Sequence, residues 1–233
     1  MPLKPVQGVN VPPVKQGSYL GICTRIVDLG EQRFQDQGLY KPRVSLMYEL
    51  CGLSIDRGNG DEPRTVSFEC NLVTYKKGDK VSEYRKMLET WLERELSDDE
   101  ALKYPLSTFL GAPAELLIAK EGDRNRITAF SRPDDGQVIP APRMELVLFE
   151  LPDPDAPDKA ARLAEVAESM KKLPVWQQER IKKSNTWARL NANTGRIAMP
   201  GSPPQAVDAS SSTPTMPTVA SAKASEPAAS VPF

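Results

Sequence analysis

The sequence contains no histidine, and this absence excludes several kinds of active site. Imidazole is the commonest general base and the usual partner of a nucleophilic serine or cysteine. It is also a frequent ligand of zinc. The chain also lacks G-x-x-x-x-G-K-[ST], G-x-S-x-G and H-E-x-x-H, the motifs of phosphate-binding loops, nucleophile elbows and zinc proteases. The sequence therefore predicts a protein that is not an enzyme and holds no metal ion or cofactor.

An excess of one charge and long apolar runs are missing as well. The 30 Lys and Arg residues face 31 Asp and Glu residues, so no overall positive field attracts nucleic acid, and any such site must be a local patch. No apolar run reaches about 18 residues, and the first 16 residues lack the apolar core of a signal peptide. Cys23, Cys51 and Cys70 lie in apolar, strand-like runs, as expected for buried thiols in a reducing compartment. We therefore expect a cytoplasmic protein without a membrane span.

Alternating apolar and polar residues predict three strands in the first third of the chain. They cover residues 17–33, 41–52 and 64–76, and Gly21 and Gly30 are expected bend points in the first. The core face of the second strand is predicted to carry Val44, Leu46, Tyr48 and Leu50.

Helical spacing replaces the alternation over residues 79–104. Within this segment, Ser97 and Glu100 form the S-x-x-E pattern that starts a second helix. A hairpin over 112–133 and one more strand over 144–151 follow. Three strands, a helical connection and two strands are the order of the OB barrel. The predicted fold class is therefore mainly β: a five-stranded OB-like barrel with a helical insert between strands 3 and 4. A generic antiparallel sandwich with a helical insert is the alternative.

The last third of the chain changes in composition. Residues 158–184 are helical in character and are divided by Pro174. This pair of helices is too short to bury its own core, so it is expected to pack on the barrel or to order with a partner. In residues 199–233, Pro, Ser, Thr and Ala fill 24 of 35 positions, which predicts disorder. The predicted organisation is an N-terminal arm (1–16), a barrel domain (17–151), a helical extension (152–190) and a disordered tail (191–233).

Three separate stretches combine basic and aromatic residues, and the predicted fold would bring them to one surface. Single-stranded nucleic acid is bound by cations that contact phosphates and by aromatic rings that stack on bases. The stretches are the loop between strands 1 and 2, the end of strand 3, and the turn between strands 4 and 5. Each residue alone is also explained by packing or by a solvated loop, so the hypothesis depends on the set. Its members are Arg33, Phe34, Tyr40, Lys41, Arg43, Tyr75, Lys76, Lys77, Lys80, Arg124, Arg126, Phe130 and Arg132.

Five segments carry a resemblance to a known family: GSYLGICTRIVDLGEQ, PRVSLMYEL, YRKMLETWLERELSDDE, LSTFLGAPAELLIAK and LPVWQQERIKKSNTW. They cover roughly residues 17–187. With them, the chain resembles small bacteriophage OB-fold proteins described as single-stranded DNA-binding or replication-associated. The resemblance implies an OB fold, a role on phage single-stranded DNA and a location in the host cytoplasm. It supplies no catalytic or binding residues.

The last two residues, Pro232 and Phe233, are a second candidate binding element. Bacterial single-stranded DNA-binding proteins also end a disordered tail in Pro-Phe. That resemblance implies that the tip recruits replication or recombination proteins, with Phe233 in an apolar pocket and its carboxylate against a basic residue. Only Glu226 adds a negative charge nearby, so electrostatic steering would be weak. The alternative is that the chain simply ends in phenylalanine.

Three functional hypotheses follow. The first is a non-enzymatic, single-stranded DNA-binding protein that protects or organises replication and recombination intermediates. The second is a protein-interaction factor on the same scaffold, which acts through residues 158–184 without binding DNA. A metal-dependent nuclease is the third, and it is disfavoured because the acidic cluster at Asp98 to Glu100 is explained by the helix dipole. The sequence does not determine the oligomeric state, and a homo-oligomer is one of the states it allows.

Overall fold

Two long strands, β1 (Gly17–Phe34) and β2 (Leu39–Asp56), form the centre of the fold in the computed structural model. The described residues all fall in the first of two units of the chain, Met1–Arg196. Most of the predicted arm and nearly all of the predicted tail, with Pro232 and Phe233, lie outside the described residues. The structure describes residues 12–34, 38–56, 60–78 and 80–192.

Six further strands and five α-helices complete the described structure. The strands are β3 (Asp61–Asn71), β4 (Lys76–Lys77), β5 (Lys80–Val81), β6 (Pro113–Glu121), β7 (Arg124–Ser131) and β8 (Val147–Phe149). The helices are α1 (Glu83–Leu92), α2 (Asp98–Lys103), α3 (Lys159–Met170), α4 (Val175–Lys182) and α5 (Asn185–Ala192). One turn of 3-10 helix covers Leu106–Phe109. In the described ranges, none of the helices has both the length and the apolar character needed to cross a bilayer.

The main sheet is antiparallel along the order β3-β2-β1-β6-β7, and β8 adds a short parallel pairing with β1. β4 and β5 form a separate two-stranded sheet. The edge strands β3 and β7 meet through the rings of Phe68 and Phe130, whose centroids are 4.8 Å apart. No backbone ladder joins these two strands in the described part of the chain, so the sheet is not closed into a barrel. The mainly β class is therefore confirmed, whereas closure into a five-stranded barrel is not.

β1 bends so that its two halves serve different parts of the molecule. Its pairing with β2 shifts register between Asp28 and Glu31, as at a β-bulge. Gly30 lies in this shift with a φ of 70°, which only glycine adopts at little cost. The Asp28 carboxylate accepts a hydrogen bond of 2.7 Å from the Gly30 amide. Gly30 is therefore a bend point, as the sequence predicts.

The first hydrophobic cluster lies between one face of the sheet and helices α1 and α2. All four residues predicted for the core face of β2 are buried in it. Ser82 caps α1 by accepting a hydrogen bond from the Arg85 amide. Ser97 and Glu100 form the predicted capping box at the start of α2. Local sequence signals therefore fix where both helices begin.

The C-terminal helices pack on the other face of β1, which is one of the two arrangements expected from the sequence. The second cluster consists of Val27, Leu29, Phe149, Met170, Leu173 and Ile181. β2 is buried on this face as well. The buried Gln177 of α4 donates a hydrogen bond of 3.3 Å to Ser45, and the buried Glu49 carboxylate accepts hydrogen bonds from the backbone amides of Arg143 and Met144.

Candidate nucleic-acid interface

Six of the predicted residues line two adjoining cavities beside the edge strand β3. A cavity of about 200 Å³ contains Phe34, Lys41 and Tyr75. A second cavity of about 330 Å³ contains Arg43, Arg124 and Arg126. Glu83, at the start of α1, lines both cavities. We call the set formed by Phe34, Lys41, Arg43, Tyr75, Arg124 and Arg126 the β3-edge surface.

The hairpin formed by β1 and β2 positions one end of this surface. Phe34 ends β1 and lies directly across from Leu39, while Lys41 lies across from Gln32. The Lys41 ammonium is 4.0 Å from the centroid of the Phe34 ring, within the range of a cation–π interaction. One face of the Phe34 ring is thus covered by a cation.

Tyr75 is presented by the loop that follows β3. Its carbonyl accepts a hydrogen bond of 3.1 Å from the Ser82 amide, which ties the loop to the start of α1. The side chain is left exposed. The next residues form the hairpin of β4 and β5, which carries Lys76, Lys77 and Lys80. An exposed ring beside three lysines is a combination suited to an unpaired nucleotide strand.

Carboxylates alternate with the cations of the surface. Arg43 is bonded to Glu69 at 3.2 Å, and Arg126 lies 3.3 Å from Glu83 and 3.6 Å from Glu121. Four cationic side chains and three carboxylates thus line the two cavities. In the pairs of Arg126 both partners are exposed, and such ion pairs contribute little to stability, so a phosphate can replace these carboxylates at small cost.

Phe130 is buried rather than presented at the surface. Only 5% of the residue is exposed, and its ring packs against Tyr48 and Phe68. The pairing of β6 and β7 shifts register at Thr128, so this extra residue turns Phe130 to the side opposite that expected from simple alternation. Its ring borders a separate cavity between α1 and β7 but lines neither cavity of the β3-edge surface, and a ring so enclosed leaves no free face on which a base could stack.

The remaining predicted residues lie outside the two cavities. Arg33 and Tyr40 are exposed and lie directly across from each other on β1 and β2. Arg132 is exposed just beyond β7. Lys76 is bonded to Glu95 at 3.2 Å. None of these residues lines either cavity, and Arg132 lies at the opposite end of β7 from Arg124.

The binding face expected for strands 2 and 3 is partly covered. The buried contacts of Ser45 and Glu49 place α4 and the segment around Arg143 over β2. The accessible region is therefore the edge of β3. Sequence reasoning missed Arg180 on α4, which lies 3.0 Å from Glu69; no local signal relates these two residues, because they are far apart in the chain.

A third cavity of about 520 Å³ continues the surface between α1 and β7, and it shares Arg126 with the second cavity. Apolar residues line it, among them Met87 and Ile127, together with Lys86 and Lys120. An apolar cavity beside cations can accept a base or an apolar side chain of a partner.

The buried thiols of Cys70 and Cys23 are not activated for nucleophilic chemistry. Burial, followed by the charge of Glu83, raises the pKa of Cys70 to about 12. Burial likewise raises the pKa of Cys23 to about 12. Both thiols therefore stay protonated at neutral pH. Within the described ranges, no group of three or more Cys, Asp or Glu side chains is arranged to hold a metal ion.

Comparison with known proteins leaves the geometry as the basis for assigning a function. No family model, no curated protein and no solved structure matches this chain. Membership of a bacteriophage family thus stays a prediction based on the resemblance of short segments.

Proposed function

We propose that the protein is not an enzyme and that it binds single-stranded DNA along the β3-edge surface, protecting or organising replication and recombination intermediates. The observation that carries the proposal is the convergence of three stretches that are far apart in the sequence. Their cations and aromatic rings meet in two adjoining cavities. Such a combination binds phosphates and bases without reading their order.

The proposed fold is an open, OB-like barrel. Strand β1 pairs with both β2 and β6, and α1 and α2 lie between β3 and β6 in the chain. This arrangement supports the proposal, because OB folds are partly open barrels whose strands 2 and 3 and adjacent loops bind nucleic acids. Here the contact between Phe68 and Phe130 brings the two edges together.

Each side chain of the surface has a distinct part in the proposed binding. Arg43, Arg124 and Arg126 contact phosphates, and the exposed ring of Tyr75 stacks on a base. The lysines of β4 and β5 extend the phosphate path. Because the net charge of the chain is −1, binding depends on these local contacts and not on a long-range field.

The test is fluorescence anisotropy with labelled oligo-dT and with a duplex of the same length, each over a series of salt concentrations. We expect oligo-dT to bind much more tightly than the duplex, and its affinity to fall with salt with a log–log slope of about −0.7 for each phosphate contacted. Absence of binding to either nucleic acid at low salt would contradict the proposal.

A protein-interaction factor is the second candidate, and exposed apolar residues on α4 favour it. Val175 and Trp176 are both exposed at the start of this helix. In that case, a pull-down after nuclease treatment recovers a partner with the unaltered chain but not with Trp176→Ala, and oligo-dT does not bind. Recovery that disappears with nuclease would instead indicate that DNA bridges the two proteins.

The recruiting role proposed for Pro232 and Phe233 is separable from DNA binding. A chain truncated after Gly201 is expected to keep its affinity for oligo-dT and to lose recruitment of replication or recombination proteins. A large change in oligo-dT affinity on truncation would show that the tail takes part in DNA binding, and would contradict the proposed separation between DNA binding by the sheet and protein recruitment by the tail.

A further inference from the structure

Helix α4 places a cation, Arg180, next to the β3-edge surface. Arg180 Nη1 lies 3.0 Å from Oε2 of Glu69 and 3.4 Å from Oε1. Arg43 Nε lies 3.2 Å from the same Oε2. Because Arg43 and Glu69 line the second cavity, the guanidinium of Arg180 stands beside the proposed DNA path.

Two guanidinium groups share one carboxylate in this cluster, which leaves a net positive charge. All three side chains are partly accessible: 28% of Arg43, 18% of Glu69 and 42% of Arg180 are exposed. A guanidinium offers five N–H donors in a planar arrangement, and this geometry matches the oxygens of a phosphate. The cluster can therefore accept a phosphate without a new charge being buried.

The backbone of Arg180 is fixed by its neighbours, and its side chain is held by the ion pair with Glu69. The Arg180 carbonyl accepts a hydrogen bond of 3.0 Å from the side-chain amide of Gln32. Gln32 lies across from Lys41 of the surface. The next residue of the helix, Ile181, is fully buried in the second cluster. Because its backbone is already ordered, Arg180 loses less conformational entropy when it binds a ligand than a residue on an unordered loop would.

We infer that Arg43 and Arg180 form a phosphate-binding pair, and that Glu69 holds both guanidinium groups in place when DNA is absent. The inference rests on the proposed binding of single-stranded DNA and extends it to the C-terminal helices. A phosphate on this pair competes with Glu69 for the same N–H donors. Loss of the Glu69 charge therefore strengthens DNA binding, although it removes two ion pairs.

The experiment compares oligo-dT affinity over a salt series for the full chain and four variants. Arg180→Gln is expected to weaken binding about tenfold and to reduce the salt slope by about 0.7. Glu69→Gln is expected to strengthen binding severalfold. The control, Lys171→Gln, removes one exposed positive charge from the same helical region, where it is paired with Glu168, and is expected to leave affinity and slope unchanged.

Each outcome separates this inference from the proposed function. If the unaltered chain does not bind oligo-dT, the proposed function fails. If it binds, but Arg180→Gln keeps the same affinity and slope, only the inference fails. If Glu69→Gln and Arg180→Gln weaken binding equally, the cluster is structural and the inference is overturned. Arg180→Lys keeps the charge, so it is expected to recover the salt slope and only part of the affinity; recovery of neither, with the fold intact by circular dichroism, also contradicts the inference.

Discussion

Tyr75 is the residue on which the proposed stacking depends most, since 54% of it is exposed and one face of Phe34 is covered by Lys41. Tyr75→Ala is expected to weaken oligo-dT binding by about 1–3 kcal/mol, the value of one stacked base. The free energy of unfolding is expected to change by no more than about 0.5 kcal/mol, because the side chain lies at the surface. Anisotropy and urea unfolding measure the two effects.

Tyr75→Phe is the matched control, because it keeps the ring and removes only the hydroxyl group. Its affinity is expected to equal that of the unaltered chain. Equal affinities for the Ala and Phe variants would exclude stacking at this position.

Gly30 lies at the bend of β1 and packs closely against Ser184, which lies between α4 and α5. Its φ is 70°, and a Cβ atom added there would lie 2.7 Å from the Ser184 hydroxyl oxygen. Gly30→Ala is therefore expected to lower the free energy of unfolding by about 1–3 kcal/mol, as measured by urea denaturation. Gly52→Ala is the comparison, because Gly52 has a similar φ of 72° but open space around it. If Gly52→Ala costs as much as Gly30→Ala, the contact with Ser184 contributes nothing.

Individual elements were predictable where their signals are local. The alternation in β1, β2 and β3 and the capping box of α2 are written within short segments, and the structure contains these elements. Most of the candidate surface was predicted for the same reason, since cations and rings near turns are visible in the sequence. The burial of Phe130 could not be predicted, because one bulged residue, Thr128, reverses the alternation of β7.

Contacts between distant elements could not be predicted in this way. Ser45 and Glu49 are polar, so alternation predicts that they face solvent. Both are buried instead, because α4 and the segment around Arg143 cover them from much later in the chain. The same distance hides the approach of Arg180 to Glu69. The composition of residues 158–184 predicts helices, but not which strand they cover.

The capping box of α2 predicts that the free energy of unfolding depends on pH. Hydrogen bonds from the Ser97 amide and hydroxyl, followed by one from Arg94, lower the pKa of Glu100 from 4.5 to about 2. A carboxyl with a lowered pKa in the folded state stabilises the protein above its unfolded pKa, and this contribution is lost as the pH falls through the folded value. Glu100→Gln is thus expected to lower the free energy of unfolding at neutral pH. The difference in this free energy between the variant and the unaltered chain is expected to disappear as the pH falls from about 4.5 to about 2.

Urea unfolding at several pH values measures this dependence. Asp99→Asn removes a carboxylate from the same helical turn without removing a member of the capping box, and serves as the control. Ser97→Ala removes the cap itself and is expected to cost about 1 kcal/mol at neutral pH. A difference between Glu100→Gln and the unaltered chain that persists at pH 2 would rule out the proposed role of the ionised carboxylate.

At the scale of the whole molecule, the two hydrophobic clusters share β1: Ile26 belongs to the first cluster and Val27 to the second. We therefore expect the sheet and the C-terminal helices to unfold together in one transition. Ile181→Ala, at a fully buried position of α4, is expected to lower the free energy of unfolding by about 2–5 kcal/mol. Val175→Ala, on the same helix but 68% exposed, is expected to change it by no more than about 0.5 kcal/mol.

Circular dichroism during urea denaturation distinguishes a shared core from a detachable extension. A shared core shifts the single transition of the Ile181→Ala variant as a whole. If the variant instead loses part of its circular dichroism signal at low urea, and the rest of the signal is lost at the same urea concentration as in the unaltered chain, the helices unfold independently of the sheet.

The parallel pairing of β8 with β1 has a consequence for the chain during its synthesis. β6 covers one edge of β1 only over Gly17–Ile22, and β8 covers Arg25–Val27 of that edge. A ribosome releases β1 long before β8 and the helices that cover Val27 and Leu29. During this interval the strand exposes unpaired backbone groups and apolar side chains, the features that cause nascent chains to associate. We therefore expect the yield of native protein to depend on translation speed and chaperone supply, and not only on the stability of the finished fold.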